Sequence, residues 1–101
     1  MINQLDDSTI FTILHRAIKN NRSCITVKDV CIVCNIPPAY DYYGQQQRKE
    51  RALLFIGEME ERGLITHVIR PDGTHAWKIT PRGVAFYKWM YKRKYQQVGT
   101  I

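Results

Sequence analysis

Six consecutive polar side chains, Gln46, Gln47, Arg48, Lys49, Glu50 and Arg51, are the densest run of usable chemistry in this chain. A glutamine amide can pair with adenine N6 and N7, and an arginine fork with guanine O6 and N7. An apolar tip such as Leu54 can meet a thymine methyl. Lysine and arginine also neutralise phosphates whatever the base sequence. On a helix of about 100° per residue, Gln46, Gln47, Glu50, Arg51 and Leu54 share one arc. Ala52, Leu53, Phe55, Ile56 and Met59 share the opposite, inward one. Arg48 and Lys49 lie at the boundary, where a phosphate is the expected contact. Glu58 and Glu61 make the far end acidic, so only the N-terminal half of this helix suits double-stranded DNA in its major groove. The plainer alternative is a solvated helix face.

Other reactive residues form no catalytic set. Cys31 and Cys34 make a C-x-x-C, but Cys24 is the only further cysteine and His15, His67 and His75 are scattered. A structural zinc needs four ligands, so the thiols are expected to act as small apolar groups, with a disulfide or a metal as alternatives. No phosphate-cradling glycine loop, nucleophile elbow or metalloprotease motif occurs. Glu58 and Glu61 sit on an exposed helix face. The expectation is a non-enzymatic protein with no metal, cofactor or small-molecule ligand.

The elements that must position these residues can be read in order. Asp7 or Ser8 caps a first helix whose apolar stripe is Ile10, Phe11, Ile13, Leu14, Ala17 and Ile18, and Asn20-Asn21 ends it. Ser23-Cys24-Ile25 is a short extended piece. Thr26 caps a second helix, Val27 to Cys34, stopped by Asn35 and Pro37-Pro38. A loop from Pro37 to Gly44 carries Tyr40, Tyr42 and Tyr43, with hydroxyls that could bond phosphates and at least one ring expected in the core. The third helix spans 45–62 and ends at Gly63. Leu64 to Arg70 and His75 to Thr80 are strands around the turn Pro71-Asp72-Gly73-Thr74. They form a wing, 70–78, in which Arg70, His75 and Lys78 are placed to touch a phosphate backbone or a minor groove. Pro81 opens a last helix, 81–96, before a flexible tail, 97–101.

Helix, short strand, two helices, hairpin and helix is the order of a winged helix, a mostly helical α+β fold in a single domain, 1–101. Two motifs sharpen this. Glu58-Met59-Glu60-Glu61-Arg62-Gly63-Leu64-Ile65 resembles the end of the recognition helix and the first wing strand of MarR- and PadR-type regulators. Trp77-Lys78-Ile79-Thr80-Pro81-Arg82-Gly83 resembles their second wing strand entering the next helix. Small viral and archaeal regulators carry similar patterns. The resemblance implies a winged helix-turn-helix and a role in transcription regulation. Those families open the recognition helix with Ser and Thr, where this chain has Gln45-Gln46-Gln47-Arg48-Lys49.

The formal net charge is +6, and Arg82, Lys88, Lys92, Arg93 and Lys94 account for five of it with no acid after residue 81. Such a field attracts a nucleic acid or an anionic membrane surface, or keeps a helix solvated. In the same helix Val84, Phe86, Tyr87, Met90, Tyr91 and Tyr95 cover about 180°, wider than the roughly 100° stripe a surface helix needs. The surplus suggests a homodimer interface of Phe86, Tyr87, Met90, Tyr91 and Tyr95. No apolar run reaches the roughly 18 residues of a membrane span, and the first residues lack a signal-peptide pattern, so an intracellular (cytoplasmic) location is expected. The reading that follows is a sequence-specific duplex-DNA regulator. The alternative is a winged-helix protein–protein interaction module in a larger replication or transcription assembly.

Overall fold

The computed structural model describes residues 5–99, and side chains for 5–94. Four helices and three strands follow one another as α1 (Asp7–Lys19), β1 (Cys24–Ile25), α2 (Val27–Val33), α3 (Tyr42–Glu61), β2 (Ile65–Ile69), β3 (His75–Ile79) and α4 (Pro81–Gly99). This is an α+β domain whose one sheet is antiparallel in the order β1-β3-β2. The hairpin register puts Ile65 opposite Ile79 and Ile69 opposite His75, while Ile25 of β1 pairs with Trp77. The short strand after α1 therefore docks on the far edge of the hairpin and ties the helical half to it.

Each helix begins where a side chain can satisfy its free amides. Asp6, one residue earlier than expected, caps α1 by accepting the Thr9 amide at 2.7 Å. Asp41 caps α3 through the Gly44 amide at 2.9 Å. That cap corrects the reading of Pro37 to Gly44 as loop, because Tyr42, Tyr43 and Gly44 already belong to α3. Gly44 marks a close approach instead of a break: an added Cβ would lie 2.5 Å from Asp41 Oδ1 and 2.9 Å from Ala39 Cβ. Gly63, at φ 75°, ends α3 in the left-handed conformation. The last helix also runs past its expected end at 96, to Gly99.

The core gathers Ile10, Ile13, Leu14 and Ala17 of α1, Ile25, Val30 and Cys31, and Ala52, Ile56 and Met59 of α3. It closes on Leu64, Ile65, Trp77 and Ile79 of the hairpin. None of the three tyrosines joins it. Tyr40, Tyr42 and Tyr43 are 93%, 78% and 70% exposed, because α3 is held on the core by Ala52, Phe55, Ile56 and Met59, more than two turns further along. Gly83 is a second close approach, since a Cβ there would run into the Leu64 carbonyl oxygen.

Among the described residues, Asp29 of α2 is the one buried charge, 2% exposed. Arg22 grips both its oxygens at 2.8 Å, Arg16 of α1 donates Nε at 3.0 Å, and the Thr26 amide donates at 2.9 Å. Burial pushes the carboxyl up, but the bonds from Arg22, Thr26 and Arg16 outweigh it and hold Asp29 below the usual carboxylate range. Asp29→Ala removes the charge-assisted bonds from both arginines, but Arg16 and Arg22 are about a third exposed and rehydrate, so the expected loss of stability is about 1.5–3 kcal/mol. Because the folded pKa is depressed, this contribution is complete above the unfolded value of about 3.9 and fades as the pH falls through the folded one. Urea melts of wild type and Asp29→Ala should differ fully at pH 7 and converge in strong acid. An equal gap at both ends would show that the charge is not what matters.

Candidate functional site

Between α2, α3 and the hairpin lies an open groove of about 650 Å³. Its walls include Lys28 from the first turn of α2, Lys49 and Leu53 from α3, and Arg70, Thr74 and His75 from the hairpin, with Trp77 also lining it. No carboxylate lines it, so three cations from three elements face one hollow. None of the three is held in an ion pair among the described residues. Arg70 is steadied by its own turn: Nε donates to Thr74 Oγ1 at 2.8 Å, and the Thr74 amide donates to Asp72 at 2.9 Å. Those Thr74 bonds hold the exposed Asp72 carboxyl below its ordinary range. Such a hollow can neutralise neighbouring phosphates and offer donors to their oxygens.

The two histidines of the hairpin, which look scattered along the chain, meet here. His67 Nε2 lies 2.8 Å from His75 Nδ1, with ring centroids 5.0 Å apart, and His67 also leans on Trp77 at 5.3 Å. The Trp77 indole N–H is buried without a hydrogen-bond partner. No group of three or more metal-ligating side chains forms among the described residues.

The run 46–51 is divided by the helix it sits on. Gln46, Gln47 and Glu50 are exposed, and Leu54 is 71% exposed. With Tyr43 they make a continuous outer stripe, since 43, 47, 50 and 54 are spaced by four, three and four residues. Lys49 turns to the groove. Arg48 and Arg51 are half-buried on the opposite flank, toward the end of α2, where Arg48 acts on Cys31 and Arg51 on both Cys31 and Cys34. Arg48 Nε is buried there without a partner. Lys78 is exposed but adjacent to Trp77 in β3, so strand alternation aims it at the other face, away from the groove. Lys28, Leu53, Thr74 and His67 are the neighbours of this site that the run itself did not disclose.

The last helix spends part of its aromatic arc inside the chain. Tyr87 stacks on Phe11 at 5.1 Å and its hydroxyl meets His15 Nδ1 at 2.7 Å. Phe86 lies under the Arg62 guanidinium at 5.7 Å. Met90 is half-buried, Tyr91 is 44% exposed, and the side chain of Tyr95 lies outside the described residues. The interface expected from these five thus has two members committed to intramolecular packing. No helix among the described residues is long and apolar enough to cross a membrane.

Compared with family models, curated proteins and solved structures, the chain matches none. The chemistry of the groove and of the outer stripe of α3 must therefore carry the functional reading.

The three cysteines are free thiols. Burial pushes Cys31 and Cys34 up, more than the nearby arginines pull them down, so both should be poor nucleophiles. In the folded protein one thiol, Cys24, should react promptly with a maleimide, and the other two only after denaturant is added. Mass spectrometry of labelled peptides checks this. Fast labelling of Cys31 would mean that the end of α2 opens.

Proposed function

We propose that this chain is a winged-helix protein that binds double-stranded DNA as a non-enzymatic regulator, with α3 in the major groove and the hairpin as its wing. The observation that carries the reading is the convergence of Lys28, Lys49 and Arg70 on one carboxylate-free groove beside the outer stripe of α3. Element order and the pairing of β1 with β3 support it, as do the two regulator-like motifs. In this reading Gln46, Gln47, Glu50 and Leu54 meet base edges. Tyr43, at the leading end of α3, joins them through its hydroxyl. Lys49, Lys28 and Arg70 hold phosphates, and the His67–His75 pair sets the shape of the wing wall. Arg51 and Arg48, on the far flank, contact the backbone of the opposite strand only as the duplex wraps.

One observation favours a second reading. Tyr40, Tyr42 and Tyr43 at the start of α3 and Leu54 about three turns further on are all exposed, and exposed apolar and aromatic side chains also serve in protein docking. A winged-helix interaction module would use them in that way.

Fluorescence anisotropy with duplex DNA over a salt series separates the two. Lys49→Ala and Arg70→Ala should each weaken all duplexes alike and reduce the slope of log K against log salt by about 0.9. Gln47→Ala should weaken only the preferred sequence, by about 1–3 kcal/mol. An absence of duplex binding at low salt, with a protein partner lost on Leu54→Ala, would replace the DNA reading by the docking one.

A further inference from the structure

The outer side of α4 is not used by the groove or by the core, and its composition is unusual. From residue 82 to 94 it carries five cations and no acid. Lys94 folds back over the Phe11 ring at 5.2 Å. Lys88 and Lys92, one turn apart, then form an outward ridge. By helical spacing Trp89 flanks the ridge on one side and Tyr91 on the other. Trp89 is 50% and Tyr91 44% exposed, and with Tyr87 and the two lysines they line a shallow hollow of about 590 Å³. The Arg93 guanidinium lies over the Trp89 ring at 4.7 Å.

We propose that this face of α4 binds single-stranded nucleic acid, with bases stacking on Trp89, Arg93 and Tyr91 and phosphates held by Lys88 and Lys92. The occupant follows from what the face offers and what it lacks. Three outward cations, Lys88, Lys92 and Arg93, without a carboxylate call for a polyanion and oppose a second copy of the same face, which would set like charges together. A membrane surface would need the apolar side of the helix, and that side, with Val84, Phe86 and Tyr87, is packed on the domain. Exposed aromatic rings beside lysines add nothing for a duplex, whose bases are already stacked within it. They suit unpaired bases, which stack on aromatic rings and on guanidinium planes alike. This surface stands apart from the duplex reading of the α3 groove and does not rest on it.

The test uses the full chain and a labelled twenty-nucleotide oligo(dT). Trp77 is buried and Trp89 half-exposed, so oligonucleotide binding should quench the Trp89 share of the fluorescence. Trp89→Ala should abolish that quenching and weaken binding about tenfold, within the range for one stacked base. Trp89→Phe should restore most of the affinity, and Lys92→Gln should lower the salt slope by about 0.7. Circular dichroism melts confirm that each variant is folded. Unchanged oligo(dT) binding by Trp89→Ala overturns the proposal, and so does a loss seen with Lys49→Ala but not with Trp89→Ala. Two other outcomes also overturn it: sedimentation with anionic vesicles but no oligonucleotide binding, and a nucleic-acid-free dimer that Trp89→Ala dissolves. If duplex binding fails while the Trp89-dependent oligo(dT) signal persists, the α3 reading falls and this one stands.

Discussion

Asp29 is the constraint on which the arrangement depends. A carboxylate 2% exposed in a domain of this size is tolerable only because two guanidiniums and a backbone amide surround it. Its partners come from α1, from the turn after α1 and from the cap of α2. Satisfying one buried charge thus fixes the angle of α2 against α1 and the entry point of β1. With β1 placed, its pairing with β3 sets where the hairpin stands. Lys28 lies one residue before Asp29, so the same bonds that neutralise the buried charge present an unneutralised one to the groove.

The third helix shows how one element serves three neighbours. Its buried line, Ala52, Phe55, Ile56 and Met59, holds it on the core. Lys49 and Leu53 on one shoulder face the hairpin, and Arg48 and Arg51 on the other face the end of α2. What remains outward is Tyr43, Gln47, Glu50 and Leu54. A helix dividing its circumference in this way has a weak overall amphipathicity, and its outer face carries side chains whose packing the core does not dictate. Those are the positions at which residue choice is open to recognition.

The elements were legible in the sequence because each has a local cause: apolar stripes at helical spacing, Thr26 as a cap, Gly63 as a stop and Pro71 to Thr74 as a turn. The errors have local causes too. Gly44 reads as a loop residue, yet it is the position where the Asp41 carboxylate must come close. Asp6 and Asp7 are equivalent as letters, but Asp6 accepts the Thr9 amide while Asp7 pairs with Arg62. The site was less legible than the fold. Lys28 joins it through the docking angle of α2, which no spacing within the chain records. The meeting of His67 with His75 follows from hairpin register: opposite Trp77 and Ile69, they are diagonal neighbours on one face. Strand alternation could also have separated Lys78 from His75, since the two stand three residues apart on opposite faces.

The last helix shows why a wide apolar arc need not mean one wide interface. Phe86 and Tyr87 are drawn inward by specific partners, Arg62 on one side and Phe11 with His15 on the other. Trp89, tilted against Phe86 at 6.5 Å, and Tyr91, tilted against Tyr87 at 5.9 Å, are separate shoulders, with lysines between them instead of apolar residues. A seam that joined Trp89 and Tyr91 across two copies would have to bury that lysine ridge, and desolvating unpaired ammonium groups costs more than two half-exposed rings return. In the proposed contact with single-stranded nucleic acid the balance is reversed, because phosphates would supply the counter-charge at the ridge while bases meet the rings at its edges. The lysines that weigh against such a seam are the ones that the proposed single-stranded contact uses.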